Sequence, residues 1–242
     1  MAAPTIVFDL DGTLVDTAPD LIATLNTILA SEGLRPLDFA AARNMVGGGA
    51  RHMIERGLKA EGLTAAAADV ERMCGRFIAH YADHIADRSR PFPGVEAALD
   101  ALAHGGCRLA VCTNKLEWLS RKLLDALGLT HRFAAICGAD TFGVQKPDAA
   151  ILHGTIARAG GNPEAAIMVG DAITDIAVAR AAGVAVVAVD FGYSETPVAA
   201  LGPDRVVSGF DRLPQAVFTL LAAQKTNFRR KLIGDLPYTR HT

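Results

Sequence analysis

The stretch Thr5-Ile6-Val7-Phe8-Asp9-Leu10-Asp11-Gly12-Thr13 decides how the rest of the chain is read. Its first half is short, β-branched and apolar, without the polar alternation of a half-exposed strand. Such runs are buried on both faces, the habit of parallel sheets covered by helices. Its second half puts two carboxylates, a glycine and a threonine just where that strand would end. In an open α/β sheet, ligands bind in the crevice beyond the carboxyl ends of the strands. Alone, Asp-Gly after an apolar run is a turn signal. The reading therefore depends on what other strands deliver to the same edge.

Further apolar strand candidates recur at residues 108–114, 134–138, 166–170 and 184–190, with a weaker one at 205–207, and the first spans 5–10. Helical stretches separate most of them. Residues 94–104 set Val95, Leu99 and Leu102 on one stripe, and 117–127 do the same with Leu119, Leu123, Leu124 and Leu127, followed by Gly128. Residues 147–159 run into Gly160-Gly161, and 174–182 end at Gly183. This alternation predicts a doubly wound, Rossmann-like α/β core with a parallel sheet. Residues 17–90 break the pattern and offer helices only. Thr17 can cap a helix with Pro19 near its start and Leu21, Leu25 and Leu29 at helical spacing. A second, alanine-rich helix over 65–86 aligns Val70, Met73, Phe77 and Tyr81. Pro91-Phe92-Pro93-Gly94 then punctuates the return to the sheet. The expected organisation is a core from residues 1–16 and 91–242, with 17–90 inserted as an all-helical cap domain.

The other strand ends carry matching chemistry. Cys112-Thr113-Asn114 offers a hydroxyl and an amide before a helix, a fit for phosphate. Lys146-Pro147 is expected to open another helix, where the dipole already favours an anion. Residues 166–170 lead into Asp171, with Asp175 one helical turn on. Carboxylates from two strands would converge, and two unit charges ~5 Å apart repel by roughly 3 kcal/mol at an effective dielectric near 20. A cation must neutralise them, and hard oxygen donors suit Mg²⁺ rather than zinc or copper. A metal, an anion cradle, a lysine and a free carboxylate are what phosphoryl transfer needs. A carboxylate nucleophile would divide one hard hydrolysis into two easier steps through an aspartyl phosphate.

In order and spacing, DLDGT, TN, KP and GDxxxD resemble the four motifs of the haloacid dehalogenase superfamily, and the likeness covers nearly the whole chain. Residues 17–90 correspond to the helical cap that many members insert after the first motif. The resemblance implies that Asp9 is the nucleophile and Asp11 the general acid, then base. It implies that Thr113 and Asn114 hold the phosphate and that Lys146 neutralises nucleophile and phosphate. Asp9, the backbone carbonyl of Asp11, and Asp171 would bind Mg²⁺, with Asp175 as a ligand or just behind one. Asp11 argues against a dehalogenase, whose metal-free chemistry dispenses with that acid. DGTLVDTAPDL, DTFGVQKP and FGYSETPVAALGPDRVV look most like the bacterial phosphoglycolate phosphatases of the superfamily. The expected reaction is hydrolysis of a small phosphate monoester, with 2-phosphoglycolate first. Leu116-Glu117-Trp118 and Lys146-Pro147-Asp148-Ala149 depart from the usual patterns, but at helix starts rather than at chemical groups.

The alternatives are a phosphosugar mutase or a phosphatase of another small metabolite (sugar phosphate, nucleotide, pyrophosphate) on the same fold. Thr13 favours the phosphatase, since sugar mutases often carry Val after that glycine. A binding module without catalysis is disfavoured because no catalytic position is substituted. Gly47-Gly48-Gly49-Ala50-Arg51 is expected to connect two cap helices over the site, with Arg51 meeting the anionic end of the substrate opposite the phosphate.

Composition bounds the rest. The chain has 242 residues, half of them apolar, and a formal charge of -2, which gives nucleic acid or an anionic membrane no hold. Its four cysteines form no CxxC pair, so neither a zinc site nor a disulfide framework is expected. The start lacks a basic n-region and no apolar run approaches the ~20 residues of a membrane span. A cytoplasmic monomer or homodimer acting on a small phosphorylated metabolite is the expectation. His80 and His84 share a helix at a spacing that can bind zinc, yet read as a solvated face. Lys225, Arg229, Arg230 and Lys231 read as a solvated terminus.

Overall fold

In the computed structural model, backbone is described for residues 3–233 and side chains for residues 3–226; Arg229, Arg230 and Lys231 lie outside the described side chains. The apolar stretches pair as one parallel six-stranded sheet built from β1 (Thr5–Phe8), β4 (Arg108–Cys112), β5 (Ala135–Cys137), β6 (Ala166–Gly170), β7 (Ala185–Val189) and β8 (Arg205–Val207). Its order is β5-β4-β1-β6-β7-β8, so β1 lies between β4 and β6, with Phe8 level with both Val111 and Val169. The chain fills one side of β1 and then crosses to the other. The three strand ends that carry the motifs are therefore immediate neighbours.

Both faces of the sheet are buried, as the unbroken apolar runs require. Ile6, Phe8, Leu109 and Val111 pack into one core, and Val7, Ala110 and Cys112 into the other. Successive side chains point to opposite faces, and each fully buried aliphatic side chain contributes roughly 1.5–3 kcal/mol. Helices α5 (Val95–His104) and α9 (Leu213–Ile233) cover one face, and α7 (Ala149–Arg158) and α8 (Ile173–Ala181) the other; α6 (Glu117–Ala126) packs at β5. All four cysteines are free and buried, small hydrophobes in these cores.

The chain leaves the sheet through β2 (Val15–Asp16) and returns through β3 (Arg90–Pro91), and the two pair antiparallel as a short ribbon. Between them lie α1 (Ala18–Ser31), α2 (Phe39–Arg43), α3 (Gly49–Ala60) and α4 (Ala67–Asp83). The apolar stripes of α1, α3 and α4 meet: Leu25, Leu29, Ile54, Met73, Phe77 and Tyr81 are all buried. The base of this bundle is tied by a buried carboxylate. Asp20 accepts the backbone N–H groups of Arg88 and Ser89 (3.1 and 2.7 Å) and the Ser89 hydroxyl (2.7 Å).

Two local expectations are corrected. Pro147 does not open α7; the helix starts at Ala149, because Asp148 caps it by accepting the Ala150 N–H at 2.8 Å. Arg51 is not in a connector: α3 begins at Gly49, so Arg51 is on its first turn. His84 is exposed and pairs with Asp87, as a solvated face would, whereas His80 is half-buried and hydrogen-bonds the buried Thr24 of α1, so only half of that expectation holds.

Candidate active site

Asp9 immediately follows β1, held in line with the sheet by its N–H bond to the Val169 carbonyl at 2.9 Å. The backbone then turns sharply. Gly12 has φ 81°, a left-handed conformation that costs other residues energy, and a Cβ there would sit 2.6 Å from Asp171 Oδ2 and 2.7 Å from the Tyr193 ring. Only glycine lets β1's turn and the loop after β6 approach this closely. Gly192 is likewise packed against Asp171, with no room for a side chain.

Lys146 is the hub of the site. Its Nζ lies 2.9 Å from Asp9 Oδ1 and 2.6 Å from Asp175 Oδ1. Asp9 Oδ1 also accepts the Leu10 N–H at 2.7 Å, while Oδ2 makes no hydrogen bond among the described residues. Asp175 Oδ2 accepts the N–H groups of Asp171 and Ala172 at 3.1 and 3.0 Å. Asp171 is fixed from both sides, by the Thr13 hydroxyl on Oδ1 (2.7 Å) and the Tyr193 N–H on Oδ2 (2.7 Å). Ligand atoms of Asp9, Asp171 and Asp175 lie within 4.8 Å of one another, all buried.

Three buried carboxylates thus face one ammonium. Burial, then repulsion from Asp175, raises the Asp9 pKa well above the carboxylate range against the pull of Lys146. Burial and Asp175 raise Asp171 too, opposed by the Tyr193 and Thr13 donors. Burial works to lower the Lys146 pKa, but Asp175 and Asp9 outweigh it and hold the ammonium charged. The uncompensated negative charge calls for a cation. Hard oxygen donors with Asp9 Oδ2 open suit Mg²⁺. Asp175 already spends both oxygens on Lys146 and backbone, so it fits the role of orienting the cluster.

Asp11 stands apart, nearer the helical bundle. Its Oδ1 accepts from the Thr17 hydroxyl at 2.8 Å and faces Lys115 Nζ at 3.0 Å. Thr113 is buried at the end of β4, its Oγ1 accepting the Lys115 N–H at 3.3 Å with its own hydrogen left to donate. The Asn114 amide has a structural role that the sequence did not suggest. It donates to the Lys146 carbonyl at 3.2 Å and accepts the Lys146 N–H at 2.9 Å, clamping the segment that presents Lys146. A cavity of about 580 Å³ opens between the strand ends and the bundle, lined by Asp11, Gly49, Arg51, Tyr81, Asn114 and Lys115 among others. Arg51 reaches its rim only. Its side chain is 50% exposed and pairs with Glu71 and, at 3.8 Å, with Glu55.

The structure therefore brings Asp9, Lys146, Asp171 and Asp175 together at the end of β1, with Thr113 buried at the neighbouring end of β4 and Asp11 turned toward the cavity. It bonds Asn114 to the Lys146 backbone and leaves Arg51 half-exposed. Sequence reading assigned no role to Lys115 or Tyr193. Tyr193 donates its hydroxyl to Asp16 at 2.6 Å and accepts the Ala18 N–H at 3.0 Å, bracing the start of the bundle. Its presence within the FGYSET segment, and a lysine straight after Thr113-Asn114, were the available signals.

The sequence profile of the haloacid dehalogenase-like hydrolases matches residues 6–189. A phosphoglycolate phosphatase of Mesorhizobium japonicum is 50% identical over 213 residues, covering 88% of this chain and 94% of that protein. One from Caulobacter vibrioides is 49% identical over 219 residues, covering 90% and 92%. Among solved structures, a predicted phosphoglycolate phosphatase from Haemophilus somnus superposes with a TM-score of 0.82 at 30% identity, covering 88% of this chain and 97% of the other.

Proposed function

The chain belongs to the haloacid dehalogenase-like hydrolase family, and from that premise we propose that it hydrolyses 2-phosphoglycolate to glycolate and inorganic phosphate through a phospho-aspartate on Asp9. The observation that carries the reading is the convergence of Asp9, Lys146 and Asp171 on the β1 end, with Asp11 held separately toward the cavity. Relatives near 50% identity over most of their length bear the phosphoglycolate phosphatase name, which supports the substrate.

In the first step the Asp9 carboxylate forms a bond to phosphorus as the ester P–O bond breaks, and Asp11 gives its proton to the departing glycolate oxygen. In the second, Asp11 takes a proton from water, whose oxygen bonds to phosphorus while the Asp9–phosphorus bond breaks. Lys146 holds Asp9 in place and, with the Thr113 hydroxyl, offers donors to the phosphoryl oxygens. Asn114 fixes the backbone of Lys146, and Thr17 and Lys115 orient Asp11. Mg²⁺, held by Asp9, Asp171 and the Asp11 backbone, would supply the positive charge that lets a carboxylate meet a phosphate dianion. Asp175 sets the geometry of this cluster from behind.

Residues 17–90 act as a cap domain that closes over the leaving group, hinged at the β2–β3 ribbon, with 1–16 and 91–242 as the core. Closure excludes water and strengthens the charges inside. Arg51 adds positive charge at the entrance, in competition with Glu55 and Glu71. None of the described helices is long and apolar enough to cross a membrane, and four reduced cysteines suit a cytoplasmic enzyme. The test is phosphate release from a panel of small phosphate monoesters with and without Mg²⁺. Preference for 2-phosphoglycolate supports the reading, and transfer to a stable sugar bisphosphate would replace it with a mutase.

A further inference from the structure

The groups that recognise phosphate treat every phosphate monoester alike, so discrimination must come from the cavity beyond Asp11. Three features converge there. Lys115 is 8% exposed, rare for a lysine, and its Nζ stands 3.0 Å from Asp11 and 4.5 Å from the centre of the Tyr81 ring on α4. An ammonium carries more donors than Asp11 uses. The Tyr81 hydroxyl is buried, with the residue 1% exposed, and has no hydrogen-bond partner among the described residues. A buried hydroxyl left unpaired is costly, which marks a position awaiting a polar partner. Finally, no side chain caps the first turn of α3, and Gly48, Gly49 and Ala50 line the same cavity. A helix N-terminus carries partial positive charge and open N–H groups.

Resting on the phosphatase reading, we infer that Lys115, the Tyr81 hydroxyl and the first turn of α3 form a leaving-group subsite that binds a carboxylate. Its position fits a short hydroxy acid. Asp11 must reach the leaving oxygen, and in 2-phosphoglycolate the carboxylate carbon is two bonds away, about 2.4 Å. A receptor that touches Asp11 is therefore at the right range, whereas a cation at the rim is not. Charge supports the same choice. Arg51 is shared between two glutamates and faces solvent, where an ion pair with substrate would be screened. Lys115 is buried against a single carboxylate and a ring face, where its charge is poorly screened. Because Lys115 and Asp11 come from the core and Tyr81 and α3 from the helical bundle, a carboxylate at this place would join the two halves.

The test compares kcat/KM for 2-phosphoglycolate with that for 2-hydroxyethyl phosphate, the neutral analogue of equal length. Lys115→Met also disturbs Asp11 and will slow both substrates; the readout is the ratio. The expected result is that the preference falls by about 30-fold or more in Lys115→Met, recovers in part in Lys115→Arg, and falls several-fold in Tyr81→Phe. Arg51→Ala is expected to keep the preference within about threefold. Tyr81→Phe removes one oxygen and serves as the probe should Lys115→Met not fold. A wild type with no preference fails the phosphoglycolate reading itself. A wild type that prefers 2-phosphoglycolate while the Lys115 and Tyr81 variants keep that preference overturns the subsite alone, as does a loss confined to Arg51→Ala.

Discussion

Replacing Asp9 by Asn should abolish turnover and at the same time make the metal-free protein more stable at alkaline pH. The amide cannot attack phosphorus, so phosphate release should fall to background. The stability effect follows from the cluster. Burial and the charge of Asp175 raise the Asp9 pKa above its ordinary value, more than Lys146 at 2.9 Å lowers it. The folded state therefore binds a proton that the unfolded chain has already released. Between the ordinary carboxylate range and the raised value, unfolding releases protons, so the stability of the metal-free wild type falls as pH rises. A tenfold difference in proton affinity between the folded and unfolded states is worth about 1.4 kcal/mol, which sets the scale on which the penalty at pH 8 is read. Asn is isosteric, still accepts from Lys146, and does not titrate. Its melting temperature in excess chelator should exceed the wild type's at pH 8 and approach it at pH 5, by about 2–4 °C per kcal/mol for a chain of this size. Saturating Mg²⁺ should narrow the gap, because only the wild type gains fully from the ion. Near-normal turnover by Asp9→Asn would refute the covalent step. A variant less stable than wild type at pH 8 in chelator would refute the reading of Asp9 as a strained, uncompensated charge.

Asp11→Asn should retain the fold and slow phosphate release by ~10²–10⁴-fold, since both proton transfers lose their donor and acceptor; activity within a few-fold of wild type would remove Asp11 from the mechanism. Chelation should silence the enzyme and Mg²⁺ restore it, while Ca²⁺, with its larger and looser coordination shell, should support turnover poorly; full activity in excess chelator would exclude the metal site at Asp9 and Asp171. Gly12→Ala should cost about 1–2 kcal/mol in melting experiments from its positive φ alone, and more in activity, because the new methyl group would displace Asp171 Oδ2 from 2.6 Å. An alanine variant with wild-type kinetics would show that the turn and Asp171 need not approach so closely.

Much of the architecture is legible in the chain because its signals are local. Short unbroken apolar runs such as Thr5–Phe8 and Ala166–Gly170, alternating with helical stretches, read as strands buried on both faces, and the motifs that end them follow directly on those runs. Asp9, Asp11, Thr113, Asp171 and Asp175 could be singled out on that basis and Lys146 from its place before a helix, their roles being what the family resemblance implied, together with the helical character of residues 17–90. The helix starts at Ala149 and Gly49 were missed by two or more residues, because capping by Asp148 and the glycine run compete locally with the patterns read from Pro147 and Arg51.

Partnerships across the fold were not legible, for a different physical reason. Thr13 meets Asp171 across 158 positions of chain, Tyr193 meets Asp16 across 177, and Asn114 meets Lys146 across 32. Such contacts depend on strand order and on how closely two loops approach, which no periodicity encodes. Sequence alone determined a parallel α/β sheet with phosphoryl-transfer groups at the ends of its strands. Tertiary structure alone decided that the Asn114 amide bonds the Lys146 backbone, that Glu71 and Glu55 pair with Arg51, and that Lys115 is buried between Asp11 and Tyr81. A charge takes its role from the nearest opposite charge and from the water excluded around it, and both are set only when the helical bundle packs over the end of the sheet.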